Sequence, residues 1–386
     1  MKDTRPIANY LTAHRQKRGF SAAELAQRVG IRRQTIYAIE SGSYVPNTTV
    51  ALRLARTLEV HVEDLFALPL DAPAAPLATE QVTLLPNGTA SLSQPDGPRA
   101  GDPMQLCRVD RRTIASSPSP VPWYLPTADA VLVEAPARTG QAAKGKVQLF
   151  HGDYNLAKRV LVAGCDPGIS VLARHVLRAG VELVVAQRNS TQALALLKQG
   201  VVHVAGTHLR DEASGESNLP AIHRLFGRNR VAVVSLAVWE EGLVLAPGNP
   251  KSIHSVADLA RRDVGIVNRE PGAGSRLLLD THLDRLGIAG GNVHGYDRLA
   301  RGHLQAAWQV RTGDADCCIA TRAVARVFGL DFIPLASARY DLAVRRQHLD
   351  LPPVAALLDT LNRAGFRREL EGLGGYDTSI AGRRLM

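Results

Sequence analysis

The sequence predicts an all-α head, a β-rich connector and a C-terminal α/β unit. Three observations carry that expectation. Apolar residues recur at helical spacing in the first 68 positions. Prolines then crowd together, with eleven of the chain's 22 falling between Pro69 and Pro126, which rules out long helices there. From about Leu156 strand, loop and helix patterns alternate, the mark of an α/β domain. The chain has 386 residues and is 45% hydrophobic, enough for two or three domains with cores of their own. The expected boundaries are 1–68, 69–155 and 156–386.

The head is organised around Ser21 to Gly42, SAAELAQRVGIRRQTIYAIESG. Ser21 caps a first helix and Glu24 completes a capping box. Ala22, Leu25, Ala26 and Val29 form its apolar face. Gly30 permits a left-handed turn. A second helix follows from about Arg32 to Glu40, with Ile36 and Ile39 inward. Arg32, Arg33, Gln34, Thr35 and Tyr37 lie near its start, where a recognition helix meets base edges in a major groove. Arg matches guanine and Gln matches adenine in bidentate geometry. An earlier helix begins at Leu11 and carries His14, Arg15, Lys17 and Arg18 before Gly19 ends it. That positive cluster is expected to reach phosphates, with a solvated face as the alternative, and Arg18 and Ser21 are counted among the DNA-binding residues. The competing expectation is an ordinary helical hairpin with a solvated basic face.

The surrounding residues favour the first of these. From Ile7 to Phe66 the chain resembles the Cro and phage-repressor class of helix-turn-helix domain, the XRE family. The matching landmarks are Leu25-Ala26, the Gly30 turn, IESG at the end of the second helix, Pro46 and LARTLEVHVEDLF. The resemblance implies a five-helix domain in which Glu40 is structural and the surface of the second and third helices touches DNA, and the expected assembly is a homodimer on double-stranded operator DNA. A tetramer is the alternative assembly, with the connector as the added contact.

Between the prolines, QVTLL, MQLCRVDRRTIA, AVLVEA and KVQLFH alternate as short strands do, with turns expected at LPNG and QPDGPRAGDP. DAPAAPLAT reads as a linker. Residues 81–155 therefore form a small β-rich connector that either pairs subunits or passes a signal from one end of the chain to the other.

Beyond it, RVLVAGCD is a buried strand, PGISVLARHVLRAG a helix, VELVVAQ a strand, STQALALLKQG a helix and VVHVAGTHL a strand. A parallel sheet is expected, with ligands gathering at the carboxyl ends of its strands. That places Cys165, Asp166, Asn189, Ser190, Thr191, Thr207 and His208 on candidate ligand loops. Further on, VGIVN delivers a Gly-rich loop from Glu270 to Ser275, opening a helix at Arg276. Such a helix start suits an anion, and Arg269, Gly274, Ser275 and Arg276 join the candidate site. TGDADC is expected to line the hinge side of the cleft.

Residues 156–386 resemble the type II periplasmic-binding-protein fold, in particular the cytosolic version fused to helix-turn-helix heads or to molybdopterin-biosynthesis proteins. VLVAGCDPGISVLARH, VAGTHLRDEASGESN, WEEGLVLAPGNP, VNREPGAGSRLLLD, GLDFIPLASARYDLAV and LEGLGGYDTSIAG carry the resemblance. It implies two lobes around a cleft and relatives that bind molybdate or tungstate. The expected effector is such an oxyanion. A small carboxylate metabolite is the alternative, as is an oxyanion-delivery role in molybdenum-cofactor synthesis.

The formal charge is +10, which favours a polyanionic partner. The first 70 residues hold ten Lys or Arg against six Asp or Glu, an excess of only four, so charge alone does not locate the DNA face. The four cysteines have no zinc-ligand spacing. Cys165 beside His208 is expected to be a packed thiol rather than a metal ligand. No signal-peptide core or membrane-length apolar run is present, which places the protein in the cytoplasm with no membrane partner. There is no P-loop, GxSxG or HExxH. No catalytic residue, cofactor or metal is expected.

Overall fold

The computed structural model describes residues 7–67, 78–86, 98–118, 127–136, 143–151, 155–211, 214–227 and 229–386. The chain forms two compact units, Met1–Pro76 and Leu77–Met386. Most of the expected linker, and residues 87–88 and 94–97 of the two expected connector turns, lie outside the described residues. Among those described, no helix is long and apolar enough to cross a membrane.

In the first unit, β1 (Ala8–Asn9) pairs antiparallel with β2 (Phe66–Ala67), joining the two ends of the helical domain. Between them run α1 (Leu11–Lys17), α2 (Ala22–Val29), α3 (Arg33–Glu40), α4 (Thr48–Leu58) and α5 (Val62–Leu65). The capping box forms as its sequence implies, with the Glu24 N–H donating to Ser21 Oγ at 3.2 Å and the Ser21 N–H to Glu24 Oε2 at 2.7 Å. Gly30 adopts φ 75°, where a side chain would be strained. Leu11, Leu25, Val29, Ile36, Ile39, Leu54, Leu58 and Leu65 fill the core. Arg15 holds Glu40 with a two-pronged bond, 2.6 Å from Nε to Oε1 and 3.2 Å from Nη2 to Oε2, tying α1 to the end of α3.

The second unit opens with a closed five-stranded barrel. Its strands are β3 (Thr79–Leu84), β4 (Pro103–Val109), β5 (Arg112–Ser116), β6 (Ala130–Glu134) and β7 (Lys144–Leu149), in the order β3-β5-β4-β6-β7. MQLCRVDRRTIA folds as a hairpin turning at Asp110, φ 51°. Alternation sends Met104 and Leu106 into the barrel and Cys107 and Val109 out of it. The outward set shares a core with Leu161, Val184 and Leu194 of the following domain. Arg159 clamps the junction. Its guanidinium donates to both oxygens of Asp129 at 2.6 and 3.1 Å, to the Leu106 carbonyl at 2.9 Å and to Glu182 at 2.8 Å.

The domain itself carries β8 (Arg159–Gly164), α6 (Ile169–Leu177), β9 (Glu182–Gln187), α7 (Ser190–Gln199), β10 (Val204–Thr207), α8 (Leu219–Phe226) and β11 (Val231–Leu245). Next come β12 (Ile266–Arg269), α9 (Gly274–Arg285), β13 (Leu299–Ala300), α10 (Gly302–Arg311), β14 (Cys317–Thr321) and α11 (Arg322–Phe328). The chain ends with β15 (Asp331–Arg345), α12 (Pro352–Thr360), α13 (Ala364–Gly372) and β16 (Tyr376–Asp377).

The nine-stranded sheet is mixed, which corrects the expected parallel sheet. β8–β10 are parallel to one another, and so are β12–β14, but β11 and β15 pair antiparallel along their length. These two fifteen-residue strands pass through both lobes. One end of the pair joins β10 and the other joins β14. The register shifts at Ser235/Ala237 and Glu241/Gly242. At Gly242 a Cβ would lie 2.0 Å from the Ile333 carbonyl oxygen, so only glycine fits. Two further expectations are corrected. The helix after the Gly-rich loop begins at Gly274, not Arg276, because Ala273 takes the extended cap conformation. TGDADC sits at the start of β14, at the far end from the cleft, where Asp316 accepts from the Gly265 N–H at 2.7 Å.

Replacing Arg159 by Met leaves the buried Asp129 carboxylate without its cation. The expected loss is about 3–5 kcal/mol from the Leu77–Met386 unit, measured by denaturant unfolding.

Candidate functional site

On the head, α3 presents Arg33, Gln34 and Tyr37 to solvent, while Thr35 is half-buried. Arg32 caps the helix with extended backbone and no side-chain cap bond. Arg33 Nη2 donates to the Tyr37 hydroxyl at 2.8 Å, and its guanidinium lies 5.2 Å from the ring centre. That contact holds the two outward side chains in one arrangement. Ser21 is occupied in capping α2, and Arg18 pairs with Glu59 at 2.7 Å.

In the second unit the candidate residues divide. Cys165 and His208 come together with Arg269, Gly274 and Ser275 where the lobes meet. The Cys165 Sγ lies 3.4 Å from His208 Nε2. On the other side of that ring, Nδ1 is 3.8 Å from Glu241 Oε2, and Ser275 Oγ donates to Glu241 Oε1. Gly274 presses on His208 so closely that a Cβ would fall 2.5 Å from Cε1. At the rim, Asn189 Nδ2 donates to Glu270 Oε1 at 3.2 Å and to the Pro271 carbonyl at 3.3 Å, and Thr191 Oγ1 donates to the Gly272 carbonyl at 3.1 Å. Ser190 Oγ accepts from the His208 N–H. These contacts cross from one lobe to the other or brace those that do, and the cleft is closed.

The other candidates face elsewhere. Arg276 bonds Asp280 at 3.2 Å and stacks on Tyr296 at 3.9 Å, within its own lobe. Thr207 donates to Asn218. Asp166 accepts from Tyr376 at 2.6 Å and from the Gly168 N–H at 2.8 Å, just ahead of α6, with its Oδ2 buried and unpartnered.

Residues outside the expected set complete the centre. Trp239, midway along β11, meets His208 at 4.9 Å, His303 at 5.2 Å and Tyr340 at 5.0 Å between ring centres. His303, in the first turn of α10, is fully buried, and neither of its ring nitrogens has a partner. Trp239 Nε1, Arg269 Nη1 and Thr321 Oγ1 are also buried without partners. Arg269 donates its other nitrogens to Glu270 at 3.1 and 3.2 Å. Two sequence signals pointed here. WEEG has a bulky aromatic beside acids in an otherwise apolar strand, and Gly302-His303 opens a helix after a strand, as Gly274-Ser275 does.

Burial governs the electrostatics. It pulls His208 down to about 3, with Arg269 adding to the effect, and pulls His303 well below its ordinary value, so both imidazoles are neutral. Burial pushes the Cys165 thiol up to about 12 against the opposing pull of Arg269. It also raises Glu241, opposed by the Ser275 bond and by Arg269. Burial lowers Arg269, but Glu270, Cys165 and Glu241 outweigh it and the net shift is upward. Arg269 is thus a fixed cation among neutral rings.

Residues 173–362 match the family described as the PBP superfamily domain, and residues 11–65 match the family described as Helix-turn-helix, HTH_3. The chain is 32% identical over 228 residues to the uncharacterized protein YvgK of Bacillus subtilis (strain 168), covering 59% of this chain and 73% of YvgK. It is 40% identical to an uncharacterized protein in the ferredoxin 2Fe-2S gene 5' region of Clostridium pasteurianum, covering 28% of this chain and 96% of that one. It is 49% identical over 59 residues to an uncharacterized HTH-type transcriptional regulator of Methanothermobacter thermautotrophicus, covering 15% of this chain and 86% of the regulator. The chain belongs to the family that includes YvgK, with a helix-turn-helix domain at its N-terminal side and a PBP-like domain at its C-terminal side. It is a DNA-binding regulator fused to a ligand-binding domain.

Two measurements follow from the cleft. Gly274→Ala drives a methyl into His208, so the lobes separate. Hydrogen exchange is expected to show lost protection at 189–192 and 270–275, with α2–α4 unchanged. The second concerns Asp166, which burial raises from 3.8 to about 6. Across that window the folded chain keeps a proton that the unfolded chain has released. Its contribution to stability therefore falls as pH rises from about 4 to about 6, by up to about 3 kcal/mol. Asp166→Asn is expected to remove that part of the pH dependence in denaturant melts.

Proposed function

We propose that the protein is a one-component, cytoplasmic transcription regulator. It binds operator DNA as a homodimer through α3 and senses a small anion in the cleft. The observation that carries the reading is the pair of buried donors Trp239 Nε1 and Arg269 Nη1. Indole and guanidinium nitrogens donate and do not accept. Leaving each unsatisfied costs about 1–3 kcal/mol, a cost that an acceptor-rich guest offsets. The helix starts of α7, α9 and α10 lie at the same seam, and their positive dipole ends favour negative charge. The resemblance to cytosolic molybdate-binding domains makes molybdate or tungstate the first ions to test. Among the ligand residues expected from sequence, this reading keeps Arg269, Gly274, Ser275, Asn189 and Thr191 and leaves Arg276 out.

A thermal-shift scan of the full chain against molybdate, tungstate, sulfate, phosphate and small carboxylates tests the sensor. At about 100 times its dissociation constant a ligand adds about 2.7 kcal/mol, a shift of a few degrees. The expected result is a selective rise with molybdate or tungstate that Arg269→Leu abolishes. A rise with carboxylates alone points to metabolite sensing, and silence across the panel contradicts anion sensing.

On the head, Arg33→Ala and Gln34→Ala are each expected to weaken operator binding by about tenfold, the loss of one base contact. A gel shift that gives wild-type affinity for both variants contradicts the assignment of α3.

A further inference from the structure

We propose that Cys165, His208 and His303 form a site for a thiophilic divalent cation of the Zn²⁺ class at the seam between the lobes. Their donor atoms all lie within 4.8 Å of one another, and all three residues are buried. A tetrahedral zinc with ordinary Zn–S and Zn–N bonds sets a sulfur and a nitrogen about 3.5 Å apart. Cys165 Sγ and His208 Nε2 are 3.4 Å apart. Both nitrogens of the buried His303 ring lack a hydrogen-bond partner, so one is available to a metal without breaking a bond.

The surroundings are those of a metal ligand. A ligating histidine ordinarily turns its second nitrogen to a carboxylate, which fixes the tautomer. His208 Nδ1 has no hydrogen-bond partner and lies 3.8 Å from Glu241 Oε2, the nearest carboxylate, which Ser275 holds, so a small shift of the ring on metal binding closes that contact. Thiolate with imidazole is the donor set that zinc prefers over magnesium or calcium.

The nearby Arg269 guanidinium opposes a cation. A thiolate at Cys165 and a carboxylate at Glu241 together balance a divalent ion, and Glu270 already balances Arg269. On binding, the Cys165 thiol proton passes to solvent and a metal–sulfur bond replaces the S–H bond. Three protein ligands leave a fourth position for an exogenous donor. Cys165 and His208 belong to one lobe and His303 to the other, so the ion binds the closed arrangement alone. The inference goes beyond the anion reading and does not depend on which anion binds.

The test is a Co²⁺ titration of the chelator-stripped full chain, followed by absorption, with Zn²⁺ in competition. Wild type and Cys107→Ser are expected to show a thiolate-to-cobalt charge-transfer band that saturates at one equivalent and is displaced by Zn²⁺. Cys165→Ser is expected to lose the band, and His303→Gln to bind about tenfold or more weakly. Should Cys165→Ser fail to fold by circular dichroism, His303→Gln carries the same expectation. Absence of the band in wild type, its persistence in folded Cys165→Ser, or unchanged affinity in His303→Gln overturns the proposal. Anion binding measured with chelator present reports separately on the sensor reading.

Discussion

The C-terminal unit depends on one antiparallel ladder, the pairing of β11 with β15 through both lobes. Every other strand of the large sheet joins this pair directly or through one or two intervening strands. Of its two register shifts, one follows the part that pairs with β10 and the other falls at the start of the part that pairs with β14. Gly242 allows the second shift, since any side chain there would strike the partner strand. Trp239 lies between the shifts, so the residue at the bend is also the one that His208, His303 and Tyr340 pack around. The register shifts and the site thus fall on the same few residues.

Burial sets the electrostatics of that arrangement. The rings are neutral, Arg269 is the charged group among them, and several donors have no acceptor inside the protein. The closed state therefore holds unsatisfied polar groups that a guest can satisfy. A ligand shifts the lobes only by binding the closed form more tightly than the open one. In the homodimer we propose, its effect on DNA depends on whether two heads still match half-sites about 34 Å apart. The barrel is welded to the first lobe by Arg159 and a shared core, so it moves with that lobe.

Much of this was legible in the sequence because the signals were local. Ser21, Glu24 and Gly30 specify the turn of the head with their own backbone chemistry. The strand–loop–helix alternation from Leu156 onward, with the loops at Cys165, Asn189 and His208, needs only hydrophobic period and turn residues. The centre of the site was less legible. Trp239, Glu241, His303 and Thr321 come from distant strands and helix starts that meet only once β11 and β15 pair. Arg276 had the same local signature as an anion ligand, yet Asp280 and Tyr296, one turn and one loop away, claim it. The mixed sheet was hidden for the same reason, since strand direction in β11 and β15 is decided by long-range pairing.

The most direct measurement is the emission of Trp239 in a Trp123→Phe, Trp308→Phe background, titrated with molybdate in the presence and absence of operator DNA. The account expects a saturable change. It also expects that DNA alters the anion's dissociation constant by the same factor as the anion alters that of DNA, as linkage requires. A Trp239 signal that does not saturate, or an anion affinity indifferent to bound DNA, contradicts a sensor built around this cleft.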